Sequence, residues 1–398
     1  MKFLRAVIVL AACNQGAAKP PPAAKHEQPA APVATRGDAG VPLYQKLCAQ
    51  CHGADGKGYK SDHAPSLVNP TFLASATDDF LKRSIALGRP GTAMAGYGKE
   101  VGGPLDADQV AAIVAFLRTQ GKATPDRTPA LQAGSPERGK PLYAANCQKC
   151  HGDQTTRGEA PMLANANFLQ AASDEFMAYA IVHGRPGTPM EAWGMKLSDQ
   201  SLSDVIAYVR NFATPQQVGE LPPPTGKEPL FINPQGKPPT DFKLTADPGQ
   251  KPRYVSADQV KKAFDEKRKM IIIDARPPSD WMKVHITGAV SIPYHEMSRL
   301  DEIPKDAWVI AYCACPHHLS GIVADELQKR GYPHALVLDE GILEWHRRGY
   351  PVVAAPGVLP PPADPTANVH AAPAAIAPPA PRTPPPTAPS PKLPPPPK

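Results

Sequence analysis

No segment of this 398-residue sequence is apolar over a length that spans a bilayer, and the run at its start, Ala6 to Ala12, is too short. Charge of one sign is also missing where it would matter. Eight basic residues face seven acidic ones in 41–121, seven face eight in 133–214, and fifteen face fourteen in 251–355. The formal +6 comes largely from linkers and termini, and no compact region is basic enough for nucleic acid. Three Pro-rich stretches, Lys19 to Pro42, Thr214 to Pro252 and Pro356 to Lys398, lack the apolar periodicity that would offset ordering entropy. They read as extended linkers and a disordered tail, leaving compact regions at 41–122, 133–214 and 251–355. Cysteine is scarce, with seven in all. Its placement is therefore informative.

Four cysteines form Cys48-Ala49-Gln50-Cys51-His52 and Cys147-Gln148-Lys149-Cys150-His151, both C-x-x-C-H, the attachment signature of c-type haem. Two thiols three positions apart on one helical turn reach both vinyl-derived carbons of the macrocycle, and the adjacent His points its imidazole at the iron. A lone motif leaves a zinc or redox C-x-x-C open, but the surroundings repeat. LYQKLCAQCHG matches LYAANCQKCHG 99 residues later, and Ala64-Pro65-Ser66-Leu67 matches Ala160-Pro161-Met162-Leu163 at 96. Phe72-Leu73 and Asp78-Asp79-Phe80 recur as Phe168-Leu169 and Asp174-Glu175-Phe176. GRPGT occurs at Gly88–Thr92 and Gly184–Thr188, each followed two residues later by Met. Repetition of this length means a duplicated domain. Each copy closes with a helix, marked by Val110, Ile113, Val114, Leu117 and by Leu202, Val205, Ile206, Val209, with Asp106 and Ser198 as N-caps.

The pattern resembles class I cytochrome c domains over both repeats. The resemblance implies two covalently bound haem c groups held by Cys48, Cys51, Cys147 and Cys150, with His52 and His151 as iron ligands. It also implies Met94 and Met190 as sixth ligands, and carbonyls of Pro65 and Pro161 orienting the imidazoles. Only Met190 keeps register with Met94; His63 and His183 are rival ligands. His/Met ligation raises the reduction potential and fills the iron's six positions, which favours electron transfer with redox partner proteins over chemistry at the haem.

Beyond Arg253 the pattern changes. Short apolar runs at Met270–Asp274, Val309–Tyr312 and Ala335–Leu338 suit buried parallel strands, and Ser320 to Arg330 suits a helix capped by Ser320. The order Asp274-Ala275-Arg276, His285-Ile286-Thr287-Gly288-Ala289, Tyr312-Cys313, Gly341, Trp345 and Gly349-Tyr350-Pro351-Val352 resembles the rhodanese domain over 253–355. In that family the Cys after the central strand accepts sulfane sulfur as a persulfide, which places Cys313 as nucleophile. The loop Tyr312–Ser320 departs from the usual C-x-x-G-x-R-S: it is one residue longer and lacks the Gly and the Arg. The missing Arg also argues against phosphatase activity. Three readings stay open. The loop is a sulfur-transfer or redox site in which Cys315 resolves a persulfide on Cys313 and His317 and His318 donate. Or the domain is an inactive docking module. Or Cys313, Cys315, His317 and His318 hold copper or zinc.

MKFLRAVIVLAACNQ has the layout of a signal peptide, and Leu10-Ala11-Ala12-Cys13 resembles the lipobox of bacterial lipoproteins, which implies an acylated Cys13. Asn14 fits outer-membrane sorting. The expected organisation is a signal peptide (1–12), a tether (13–40), two all-α cytochrome c domains (41–122 and 133–214), a Pro-rich linker (215–250), an α/β rhodanese-like domain with a parallel sheet (251–355) and a disordered tail (356–398). The expected function is periplasmic dihaem electron transfer coupled to a sulfur-handling domain that takes a small sulfur compound. The alternative is a pure electron shuttle with an inactive third domain.

Overall fold

The computed structural model describes residues 36–58, 64–121, 130–212, 218–314 and 317–362. The expected signal, Cys13, His63, Cys315 and the tail beyond 362 lie outside the described residues.

The first unit comprises α1 (Arg36–Leu47), α2 (Ala49–His52), α3 (Pro70–Ser75), α4 (Asp78–Leu87) and α5 (Ala107–Gln120). The second repeats it with α6 (Pro136–Asn146), α7 (Gln148–His151), α8 (Ala166–Ala171), α9 (Asp174–His183) and α10 (Asp199–Arg210). Asp106 caps α5 through a reciprocal box with Gln109, and Ser198 accepts from the Ser201 N–H at the start of α10. The predicted apolar stripes are buried: Val110, Ile113, Val114 and Leu117 in α5, and Leu202, Val205, Ile206 and Val209 in α10. Each such side chain contributes about 1.5–3 kcal/mol of transfer free energy. In each unit the first and last helices cross at a glycine. A Cβ on Gly40 would lie 2.1 Å from the Ala112 carbonyl oxygen, and one on Gly139 would lie 1.9 Å from that of Asp204. This crossing corrects the tether boundary, because α1 already begins at Arg36 and Gly40 sits inside it.

The third region contains β1 (Tyr254–Val255), α11 (Ala257–Asp265), β2 (Ile271–Asp274), α12 (Pro278–Trp281), β3 (Val284–Ile286), β4 (Val290–Ser291), β5 (Val309–Tyr312), α13 (His318–Lys329), β6 (Ala335–Leu338), α14 (Gly341–Arg347) and β7 (Val352–Ala354). A five-stranded parallel sheet runs β1-β6-β5-β2-β4, and β3 pairs antiparallel with β7. β2, β5 and β6 are buried along their whole length, as strands covered on both faces must be.

Two expectations need correction. Ser320 does not cap α13; the helix starts two residues earlier, and the fully buried Ser320 turns its hydroxyl towards Cys313. Nor is the Pro-rich segment an unfixed linker in its described part, 218–250. Ile232 and Met270 exchange backbone hydrogen bonds, the Leu221 N–H reaches the Met282 carbonyl, and Glu228 pairs with Arg299 at 3.0 Å. Leu230, Phe231, Ile232, Phe242 and Leu244 pack on the apolar core, and their burial offsets the ordering entropy that the prolines alone would not. The first residues after 355 are also held, with Pro356 accepting from the Gly219 N–H.

Candidate haem and sulfur sites

Both C-x-x-C-H motifs follow a first helix whose buried Tyr anchors the turn. Tyr44 Oη donates to the Gly53 carbonyl at 2.8 Å, and Tyr143 Oη to Gly152 at 2.7 Å. His52 Nδ1 lies 3.0 Å from the Pro65 carbonyl and His151 Nδ1 lies 2.9 Å from that of Pro161. A carbonyl only accepts, so Nδ1 carries the proton and Nε2 carries the lone pair. Burial pushes the Cys48 thiol up to about 12, with the charge of Cys51 adding to it, and the Cys147 thiol up to about 11, with Cys150 adding. Met94 and Met190 sit in identical loops. Their carbonyls accept from the Arg89 and Arg185 N–H groups, and their own N–H groups donate to Thr92 and Thr188 Oγ1. Thiols, a lone-pair imidazole and a thioether form a donor set that suits a covalently attached haem.

The two Met loops meet the opposite unit reciprocally. Asn69 Nδ2 donates to the Pro186 carbonyl and Asn165 Nδ2 to that of Pro90, at 2.9 and 3.0 Å. Thr71 Oγ1 donates to Gly184, and Asn167 Nδ2 to Gly88. Phe80 stacks on Phe176 at 4.5 Å, while Arg89 lies over Phe168 and Arg185 over Phe72. The contact is isologous, as for a two-fold dimer. Burial lowers both arginines to about 10, and neither pairs with a carboxylate among the described residues. Half-buried cations without a carboxylate partner suit an anionic group of a ligand. The sequence reading passed over these arginines, although the twice-written GRPGT was the available signal.

In the third region Cys313 follows β5 at 1% exposure, its Sγ 3.3 Å from Ser320 Oγ. The N-terminus of α13 rises from the same loop, and the N–H groups of its first turn favour anionic sulfur. Gly341, at φ +67°, passes so close that a Cβ would meet the Cys313 carbonyl oxygen at 2.7 Å. His317 does not act as a free-swinging donor. Its Nε2 lies 2.8 Å from Asp339 Oδ1, and its ring stacks on Tyr254 at 3.9 Å. His318 opens α13 and is half-buried. Among the described residues no three His, Cys, Asp or Glu side chains converge as metal ligands; the copper or zinc reading also needs Cys315, which lies outside them. His183 Nε2 is buried without a partner, its ring 4.2 Å from Tyr179.

Beneath the loop lies a buried ionic cluster. Arg276 binds Asp274 in bidentate fashion and donates to the Val284 carbonyl, and Tyr312 Oη donates to Asp274. Asp280 stands 3.7 Å from Arg276. Burial nevertheless pushes its carboxyl up to about 6, Arg276 opposing and the charges of Asp274 and Cys313 adding.

Comparison with known proteins agrees with this geometry. Family patterns match in three blocks: Cytochrome c at residues 37–121, Cytochrome C oxidase, cbb3-type, subunit III at 134–209, and Rhodanese-like domain at 256–348. The cbb3-type cytochrome c oxidase subunit CcoP of Azospirillum sp. (strain B510) is 31% identical over 192 residues, covering 43% of this chain and 60% of that protein. A sulfurtransferase of Allochromatium vinosum is 30% identical over 104 residues, covering 26% of this chain and 96% of that protein. Among solved structures, the rhodanese-like domain of an Anabaena protein superposes with a TM-score of 0.25 at 20% identity, covering 26% of this chain and 80% of the other. The chain thus spans only 60% of the length of the oxidase subunit it matches. Cytochrome c domains imply covalently bound haem c, and among the described residues no helix is long and apolar enough to cross a membrane. Through residues 256–348 the chain belongs to the rhodanese-like family, and it carries two cytochrome c-type electron-transfer domains ahead of that domain.

Proposed function

We propose that this chain takes electrons from reduced sulfur at Cys313 and hands them on, one at a time, through two haem-binding units on the periplasmic side of a bacterial membrane. The observation that carries the reading is the duplicated His–Pro contact, His52 to Pro65 and His151 to Pro161, which turns each Nε2 lone pair to one use. A haem bound in each unit supplies a reversible one-electron store. Cys48 and Cys51, and Cys147 and Cys150, would hold it through thioethers, and His52 with Met94, and His151 with Met190, would supply its iron ligands. Arg89 and Arg185 would supply positive charge for its anionic groups.

At the sulfur site the Cys313 thiol and hydrosulfide form a new S–S bond, giving a Cys313 persulfide. Two protons leave to solvent and two electrons leave to two one-electron acceptors, the ferric haem c groups. The outer sulfur then passes to a thiol acceptor, which restores Cys313. Ser320 Oγ and the first N–H groups of α13 stabilise the sulfur anion. Incubating the oxidised protein with sulfide should reduce the haems and add one sulfur to Cys313 by mass spectrometry. A Cys313→Ala chain that is reduced equally fast refutes the sulfur step.

The 1% exposure of Cys313 favours a second reading, in which the third domain only docks partners and the chain is a pure electron shuttle. In that case no persulfide forms. We further propose that Cys13 is acylated and anchors the chain, with the outer membrane favoured. The protein should then fractionate with membranes and become soluble as Cys13→Ser.

A further inference from the structure

One side chain of the rhodanese-like domain touches both edges of the first haem-binding unit. Tyr294 Oη donates to the Leu47 carbonyl at 2.9 Å, and Leu47 immediately precedes Cys48. The same hydroxyl lies 3.2 Å from Tyr97 Oη, three residues beyond Met94. Beside it, Ser279 Oγ donates to the Gly96 carbonyl at 2.6 Å. Gly102 approaches Met282 so closely that a Cβ there would fall 2.4 Å from Met282 Cε. α13, which rises from the Cys313 loop, packs against α2, the turn that bears Cys51 and His52. Burial holds both phenols above their usual range, so the pair stays protonated.

The second unit has the same face and leaves it open. Leu47 corresponds to Asn146, which is exposed, and Tyr97 corresponds to Trp193, half-buried under Lys196. Cys150 is exposed where Cys51 is half-buried, and Met195 is fully exposed.

We infer that the first unit is the inlet for electrons leaving the sulfur site, that the second is the outlet to an external redox protein, and that Tyr97 and Tyr294 are the positioning residues that couple sulfur domain to inlet. This rests on the proposed function. The redox step is the one written above: S–S bond formation at Cys313 releases two electrons, and two ferric haem c groups take one each. α13 packs on the first unit's haem-bearing turn and Tyr294 bonds the residue that precedes it, so the first electron enters there.

The test uses the full holoprotein with Met190→His, which lowers the second haem's potential and separates the two spectra. Sulfide should reduce the Met-ligated first haem before the second. Tyr294→Phe, which keeps the ring and removes both hydroxyl contacts, should slow that reduction roughly fivefold, the equivalent of one buried hydrogen bond. It should also shift the first haem's midpoint potential in an equilibrium titration without sulfide, leaving the second unchanged; Ser279→Ala should act in the same direction. If the second haem leads, or if Tyr294→Phe and Ser279→Ala alter neither rate nor potential, the inlet assignment falls while the sulfur chemistry stands. If sulfide reduces neither haem and leaves no sulfur on Cys313, both the proposed function and the inlet role fall.

Discussion

The two haem-binding units share their interiors and differ at their faces. Inside, Tyr44 and Tyr143 make the same hydrogen bond, and so do the two proximal imidazoles. Arg118 clamps the Leu73 and Ala76 carbonyls with Asp78, and Arg210 clamps Leu169, Ala172 and Asp174 in the same way. That clamp survives although the loop between its parts has lost residues, so the clamp, and not the loop, is what the fold requires. On the surface the units part company. Leu47 is 5% exposed beneath the third domain, while Asn146 faces solvent. Duplication supplied two equal folds, and substitution at a handful of surface positions gave each a different neighbour.

The largest way to break the symmetry is to remove a thioether. Cys51→Ser and Cys150→Ser should each cost the chain one covalent haem if each unit holds one as proposed, read by denaturing mass spectrometry. A double variant that retained both would overturn the attachment sites. Next come the proposed sixth ligands. Met94→Ala and Met190→Ala should each remove about half of the sulfur-to-iron charge-transfer absorbance and lower one potential, because the thioether favours Fe(II). His183→Ala should leave that band intact; a band unchanged in Met190→Ala would promote the rival imidazole.

A smaller effect sharpens the shared interior. Gly40→Ala and Gly139→Ala drive a methyl into the backbone of the facing helix, at 2.1 and 1.9 Å from a carbonyl oxygen. Each should destabilise its own unit by about 1–3 kcal/mol, as overpacking does, and lower the melting temperature of that unit alone. Coupled melting of both units would show that the isologous interface, with Phe80 on Phe176, makes them one cooperative block.

Much of this architecture is legible in the sequence because it is local. The C-x-x-C-H turns, the Asp106 and Ser198 caps and the i, i+3, i+4, i+7 stripes all lie within one or two turns of their partners. The Tyr294 contacts join residues about two hundred positions apart, and no local pattern announces them. The segment 218–250 misled for a related reason. Its prolines dominate the local composition, while the surfaces that bury Ile232 and Phe242, Met270 and Trp308 among them, belong to elements read separately. Ser320 looked like a cap by residue type; its hydroxyl is instead spent on Cys313, a partner seven residues back.

The smallest effect separates the two helix crossings. Where α1 meets α5 the contact residue is Ala112; where α6 meets α10 it is Asp204, which accepts from the Ser135 N–H, Gln200 and both arms of Arg138. The Arg138 hydrogen bond is the main reason that this carboxyl titrates well below its ordinary 3.8. A folded value below the unfolded one means stability that is present above pH 3.8 and lost as pH falls from there towards the folded value. The second unit should therefore lose more melting temperature than the first between pH 7 and pH 3. Arg138 is 58% exposed, so solvent screening keeps the difference modest. Asp204→Asn should lower the second unit's melting temperature at pH 7 and flatten its acid response to match the first. If the variant keeps the steeper acid response, the excess resides in other carboxylates of the second unit, and the crossing is held by packing alone.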